Sequence, residues 1–326
     1  MKRRETILAL LALGAAPIVA FAQQSSRVYQ IGFLGPPLSI EPRFFDAFRE
    51  GLQKLGYFEG KNIAIDYRGT TGVSGQALRD IASEVVARKV DVIVASVAEK
   101  ALAARSVTST IPIVIVNVPD PIEAGLVESL GRPGGNVTGL SRNTVELIGK
   151  TLGLLAEAVP HARLIGILSN PADPSQSHAL VTIKQLADSR GLRLYVANAT
   201  TATELEGAMA AMRKERVEAL LVLQNGFFYI NRTKIVELAQ QYRLPSMGQD
   251  SEFADAGGLL AYSSDSVETY RIAATYVDRI LRGAKPTDLP IQQPTKFEFA
   301  INVETAKTLG IKIPQSILVR ADRVIE

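Results

Sequence analysis

Short runs of aliphatic and β-branched residues recur along this chain, and each gives way to a stretch whose apolar positions fall three and four apart. The first kind of run predicts a buried strand, the second an amphipathic helix. Residues 28–34 make the first strand, closed by Gly35-Pro36-Pro37. Phe44, Phe45, Phe48, Leu52 and Leu55 line one face of the helix that follows, with Gly56 at its end. Strands at 62–67, 90–95, 112–116 and 136–140 come next, separated by helices at 76–88, 98–106 and 122–130. Val92-Ile93-Val94 and Ile113-Val114-Ile115-Val116 are apolar without alternation, as in parallel strands covered on both faces. Pro112 is compatible because it opens its strand.

The rhythm then starts again. Helices at 145–158, 176–189, 204–213 and 232–242 alternate with strands at 164–168, 192–197 and 219–223, and further strands are predicted at 245–248 and 258–262. Val267, Tyr270, Ala274, Val277 and Leu281 form a late helical stripe. Residues 286–294 read as extended, 297–301 as a strand and 305–309 as a last helical turn. Two successive series of β-α units predict an α/β fold with two open, mostly parallel sheets, each flanked by helices. The tail is too short for a third domain and must pack back on the other two.

Residues 1–22 stand outside this rhythm. Lys2, Arg3 and Arg4 precede an apolar stretch from Ile7 to Phe21, and Ala20-Phe21-Ala22 has the form of a cleavage site. The segment reads as a secretory signal peptide leaving Gln23 as the new N-terminus, with Arg3-Arg4 keeping a twin-arginine route open. The stretch falls short of the ~20 apolar residues a membrane span needs. Cleavage removes three basic groups and one acidic group, so the formal net charge falls from +3 to +1. That near-neutral balance argues against nucleic acid as a partner. No cysteine follows the segment to carry a lipid, so the expected location is the periplasm.

The chain has no Cys, no Trp and only two His, His161 and His178. Disulfides, thiolate metal sites and cysteine nucleophiles are excluded, and no cofactor is expected. Neither histidine lies at a strand's carboxyl end, where a catalytic triad would need one. Dinucleotide, P-loop and nucleophile-elbow motifs are missing, and Gly131-Arg132-Pro133-Gly134-Gly135 precedes a strand, as a turn does. In open α/β sheets ligands bind beyond the strands' carboxyl ends. Those ends carry hydroxyls, amides, carboxylates and nearby aromatic rings, a lining for a small polar ligand.

The runs Ile31-Gly32-Phe33-Leu34, Ala47-Phe48-Arg49-Glu50-Gly51-Leu52, Val90-Asp91-Val92-Ile93-Val94, Asp120-Pro121, Arg132-Pro133-Gly134-Gly135-Asn136-Val137-Thr138-Gly139, Asn170-Pro171-Ala172 and Gln293-Pro294-Thr295-Lys296-Phe297-Glu298 resemble, in this order, the substrate-binding proteins of bacterial ABC transporters. The resemblance spans about residues 28–326 and implies a two-lobed type I periplasmic-binding fold with three hinge crossings. Lobe 1 is expected to comprise residues 27–141 and 262–290, and lobe 2 residues 142–261 and 291–326. It further implies a monomer that captures a small ligand and meets an inner-membrane ABC permease transiently. Aromatic amino acid binders, tryptophan binders among them, occur in the family. This sequence departs from the family's usual pattern at Ser96-Val97-Ala98-Glu99 and Gln224-Asn225-Gly226, where ligand choice is made.

Within such a cleft, Ser96 and the start of the next helix are expected to receive an anionic group. Asp120 and Asp250 would accept from an ammonium, or only cap the elements after them. Asn117, Asn170, Gln224 and Asn225 would set orientation, and Phe228 and Tyr262 would cover an apolar portion. Glu99 favours a zwitterion, such as an amino acid, over a dicarboxylate. The same scaffold also serves ligand sensors and some enzymes, which the sequence alone does not separate from a transport receptor.

Overall fold

The computed structural model describes residues 27–39, 41–70, 72–142 and 144–326, so the predicted signal segment lies outside the described residues. The first sheet contains β1 (Tyr29–Gly35), β2 (Ile63–Gly69), β3 (Val92–Ser96), β4 (Ile113–Val118) and β5 (Val137–Ser141), in the order β2-β1-β3-β4-β5. All its pairings are parallel. Helices α1 (Pro42–Lys54), α2 (Gly75–Ala87) and α3 (Val97–Val107) make its crossovers.

After β5 the chain enters the second lobe through α4 (Thr144–Ala158). There β6 (Leu164–Ser169), α5 (Pro174–Asp188), β7 (Arg193–Asn198), α6 (Ala202–Lys214) and β8 (Ala219–Val222) repeat the pattern. They are followed by α7 (Gly226–Ile230), α8 (Arg232–Gln241), β9 (Ser246–Gly248), α9 (Glu252–Asp255) and β10 (Leu260–Ser264). The next helix, α10 (Ser266–Leu281), returns to the first sheet. A short 3-10 turn, Pro286–Asp288, precedes β11 (Phe297–Asn302), α11 (Val303–Leu309), α12 (Gln315–Leu318) and β12 (Arg323–Ile325). The second sheet runs β12-β11-β10-β9-β8-β6-β7, antiparallel at β10–β11 and parallel elsewhere. Each lobe therefore has one switch point, where neighbouring strands carry the chain outward in opposite directions: β1/β3 and β6/β8.

Burial explains the two helical stripes. Phe44, Phe48 and Leu52 of α1 pack with Tyr270, Ala274 and Val277 of α10 over Phe33 of β1. Gly51 allows the close crossing, since a Cβ there would come within 2.8 Å of both the Ala274 methyl and the Arg271 carbonyl. Pro42 sits in the first turn of α1, where its missing N–H costs nothing.

Three expectations need correction. Residues 122–130 are turns instead of a helix: Asp120 caps the first of them, and Gly125, at φ +68°, ends helical geometry at once. A boundary at 262 would cut β10, which stays with the second sheet through Ser264. A boundary at 291 likewise comes early, because Ile291 is buried against the first lobe's core and Gln292 bonds to β5. The short elements α7, α9, α12 and β12 carry too few residues for periodicity to reveal them.

Gly139 shapes the exit from lobe 1. Its φ is +130°, the β4–β5 register shifts beside it, and a Cβ would lie 2.3 Å from the Ile115 carbonyl oxygen. Gly139→Ala is expected to destabilise the protein by roughly 2–4 kcal/mol, combining backbone strain with a clash against a central strand. Gly131→Ala, where the new methyl meets nothing within 4 Å, should be near neutral. Urea denaturation of both variants checks the contrast.

Candidate ligand-binding cleft

The carboxyl ends of both sheets face a common cleft. Ser96 ends β3 and precedes α3; it is buried, and its Oγ donates to the Leu34 carbonyl at 3.2 Å. Val97 next to it and Asn117 in β4 adopt left-handed φ values of +57° and +58°. For β-branched Val97 this is a strained conformation, and such strain concentrates at functional sites.

From the second lobe, β6 and β8 deliver an amide network. Asn170 donates to Asn225 Oδ1 at 3.1 Å, and Asn225 donates to Asp173 at 2.8 Å while capping α7 through Phe227 N–H at 2.8 Å. Gln176 Oε1 accepts from Ser169 Oγ at 2.9 Å and Asn170 N–H at 2.7 Å, and its amide donates to the Gln224 carbonyl at 3.2 Å. Gln249 Oε1 accepts from the Gln224 N–H at 2.9 Å. Glutamine suits this work because one side chain both donates and accepts. With its backbone pinned on both sides, Gln224 keeps a buried side-chain oxygen, Oε1, with no hydrogen-bond partner.

Gln224 also lines a narrow cavity of about 20 Å³, with Arg142 and Gln249 among its polar walls and Leu147, Ile148 and Leu223 among its apolar ones. Arg142 follows β5, its N–H bonded to the Val118 carbonyl at 2.8 Å, and is 5 % exposed. Its Nε and Nη1 find no partner. Burial draws its pKa down to about 10, against the partial help of Asp250, Tyr270, Tyr229 and Glu252. Asp250 Oδ1 is likewise buried without a partner. Burial, then the Glu252 charge, pushes its carboxyl up to about 7 despite Arg232 and Arg142. At the rim, Glu99 is held above the usual carboxylate range by desolvation and then by Asp173 across the cleft, while burial lowers Lys100 to about 8.

A second set of contacts ties lobe to lobe beside the cleft. Arg43 of α1 bonds Glu41 at 3.1 Å, the Tyr229 hydroxyl at 2.8 Å and the Glu252 carboxylate. Arg232 reaches Glu41 at 3.4 Å and lies 4.5 Å from the centre of the Tyr229 ring. A larger groove of about 190 Å³ lies elsewhere, along α1 and β2, and contains the paired charges Arg49 and Glu59. It touches neither switch point.

The structure thus gathers Ser96, Asn117, Asn170, Gln224, Asn225 and Asp250 at the strand ends. Asp120 Oδ1 accepts from the N–H groups of Ile122 and Glu123 at 3.1 and 3.0 Å, so this carboxylate oxygen caps its own turn. Phe228 is not a cleft residue: it is 2 % exposed in a core cluster of lobe 2, packed with Leu168, Leu220 and Ile235. Tyr262 stacks on Phe297 at 5.6 Å beside the crossings. Sequence reasoning missed Arg142, whose signal was a charge immediately after an uninterrupted buried strand. It also placed Tyr270 only in a helical stripe, and left out Glu41, Arg43, Tyr229, Arg232 and Glu252, which meet only when the lobes do.

Comparison with known proteins supplies the family. Residues 43–325 match the model of the ABC transporter substrate binding proteins. A tyrosine-binding protein of Clostridioides difficile (strain R20291) is 28% identical over 265 residues, covering 81% of this chain and 76% of that protein. The structure of an ABC domain in complex with L-Trp from Streptococcus pneumonia superposes with a TM-score of 0.85 at 25% identity, over 91% of this chain and 100% of that one. A ligand-free, open substrate binding protein with adhesive properties from Clostridium difficile gives 0.69, at 25% identity, over 91% of this chain and 99% of that one.

Asp250 makes stability depend on pH. Its carboxyl keeps a proton up to about pH 7 in the fold but only to about 4 in the unfolded chain, so the native state binds more protons in between. This contribution is therefore favourable at low pH and lost as pH rises from about 4 to about 7, by up to roughly 4 kcal/mol. Glu157, Glu204 and Glu218, held below their usual range, act in the opposite sense at more acidic pH. Asp250→Asn should remove the loss: the variant's stability relative to wild type is expected to rise across that window in urea titrations of the unliganded protein.

Proposed function

The chain belongs to the ABC transporter substrate-binding proteins, and from that premise we propose that it captures an aromatic amino acid in the periplasm and presents it to an ABC permease. The observation that carries this reading is the set of buried, incompletely partnered polar groups that follow β5, β8 and β9: Arg142, Gln224 and Asp250. Groups of this kind are costly unless something pairs with them. A zwitterion offers both charges at once, and Leu147, Ile148 and Leu223 supply an apolar wall. In this reading Asp250 accepts from the ammonium, while Ser96, Asn117, Asn170 and Asn225 shape the surrounding cleft. Asp120 and Phe228 have no part in it.

The relatives support the ligand class, since one is described as tyrosine-binding and another is a complex with L-Trp. The higher score against that complex than against the open, ligand-free protein, at equal identity and coverage, supports closely approached lobes here. A cavity of about 20 Å³ admits about one water, so entry of an amino acid requires the lobes to part and then close. The reading assigns no turnover: the protein is a receptor, acting as a monomer and without a cofactor.

Calorimetric titration with L-tryptophan, L-tyrosine and L-phenylalanine tests the ligand class, and the expected result is saturable binding of at least one. Because the protein has no tryptophan, bound L-Trp would be the only indole in the complex. Binding near pH 7 should release protons, because an ammonium stabilises the ionised form of Asp250. Titrations in buffers of different ionisation enthalpy measure that release. No binding of any of the three amino acids would overturn the reading. For location, fractionation of a host expressing the chain should yield a periplasmic form beginning at Gln23; retention of residues 1–22 in the membrane fraction would overturn that part.

A further inference from the structure

We propose that Arg142 is the carboxylate anchor of this cleft, so that a free carboxylate, donated to by its Nε or its Nη1, is the feature a ligand of this protein must carry. The inference deepens the reading above and rests on it for the rest of the ligand. Its ground is geometric. Arg142 lines the cavity, is 5 % exposed, and has two guanidinium N–H groups buried without partners. A charge-assisted bond from a guanidinium N–H to a carboxylate is roughly twice as strong as a neutral one, and a buried donor left without such a partner is costly. Among the described residues no carboxylate takes up these two donors: Glu252 is engaged by Arg43, and Asp250 leaves its own Oδ1 without a partner.

The expected alternative was Ser96 at the start of α3, but its hydroxyl donates to the Leu34 carbonyl. Arg142 also occupies a position Ser96 does not. It stands where the chain first crosses between lobes, its N–H fixed to Val118 and the preceding Ser141 N–H bonded to Gln292 at 2.9 Å. An anion held there engages the hinge itself. Across the same cavity, Gln224 Oε1 offers an acceptor from lobe 2. A ligand that satisfies both atoms spans the crossing and the second lobe, which couples recognition of the acid to closure.

The test compares each aromatic amino acid with its carboxamide by calorimetry, on wild type, Arg142→Met and Arg142→Lys, with thermal melts confirming folding. Wild type should prefer the acid by about 10–100-fold, the range of a lost charge-assisted hydrogen bond. In Arg142→Met the preference should collapse to within about 3-fold. Arg142→Lys should fall between, since it keeps the charge and loses the fixed, planar placement of the donors. An acid-to-amide ratio unchanged in both variants would overturn the inference while leaving the aromatic amino acid reading intact. Should neither variant fold, a crystal structure of wild type with L-tryptophan decides: a carboxylate oxygen within about 3.2 Å of Nε or Nη1 supports the anchor, and one bound elsewhere overturns it. Should wild type bind no amino acid, a thermal-shift screen of aromatic monocarboxylates separates the two ideas. Stabilisation by such acids that disappears in Arg142→Met sustains the anchor without the amino acid reading, and no stabilisation by any carboxylate overturns both.

Discussion

Two sheets that share no strand can form one site only if the segments between them are pinned. Here the pin is a short run of backbone hydrogen bonds. Ser141 N–H bonds the Gln292 carbonyl and Gln292 N–H bonds the Gly139 carbonyl, both at 2.9 Å, while Arg142 N–H bonds Val118 at 2.8 Å. These bonds lash the first and third crossings together along the edge of β5. The second and third crossings leave from one end of the antiparallel β10–β11 pair, where Ser264 faces Phe297 and Tyr262 stacks on that same ring. All three crossings are therefore gathered in one narrow zone. Gly139 is part of the cause, because its conformation lets β5 shift register against β4 before the chain leaves.

A hinge gathered in this way concentrates relative motion of the lobes into few dihedrals, and the opposing surfaces then govern how far they approach. The Glu41–Arg43–Tyr229–Glu252–Arg232 cluster draws them together with partly buried charge pairs in which each cation meets a carboxylate and the tyrosine. Because Glu41 is only 4 % exposed, these pairs are screened less than ordinary surface pairs, and each ion also carries a desolvation cost. Glu99 and Asp173 act in the opposite direction at the rim, raising the energy of approach by like charge. Closure thus rests on a balance of opposed electrostatic effects, each worth a few kcal/mol at most. A bound ion or zwitterion is of a size to tip such a balance.

Most of the architecture was legible because parallel α/β folds write both periodicities plainly. Runs such as Val92-Ile93-Val94 and Ala219-Leu220-Leu221-Val222 are buried throughout and have no reading other than a covered strand. Residues 122–130 show where that reasoning ends: Ile122, Leu126 and Leu130 have helical spacing, yet Gly125 and the contact of Glu128 with Pro133 hold the segment in turns. For the cleft, the topology rule pointed to the strand ends, and Asn170, Gln224, Asn225 and Asp250 lie there as amides and a carboxylate. What it did not find was decided by side-chain direction. Phe228 points into the core because α7 is a single turn capped by Asn225, and Asp120 turns back on its own backbone. Arg142 was overlooked for a related reason: nothing local in Ser141-Arg142 says that the guanidinium is folded under the cleft and not out to solvent.

The buried charges themselves argue for a cleft built around something other than the protein. Had Arg142 and Asp250 been placed in hydrogen-bonded contact, the interior would have been self-satisfied and indifferent to a ligand. Instead Nε, Nη1 and Oδ1 stay unpaired at the positions fixed by Val118 and by the Gln249–Gln224 bond. The result is a guanidinium lowered to about 10 and a carboxyl raised to about 7, each disfavoured in its charged form by burial that the other's charge offsets only in part. A molecule bearing both an acid and an ammonium removes both penalties in one step, whereas a neutral solute removes neither. Selectivity for a zwitterion can therefore arise from what the protein withholds from its own buried groups, before any contact with the rest of the ligand is counted.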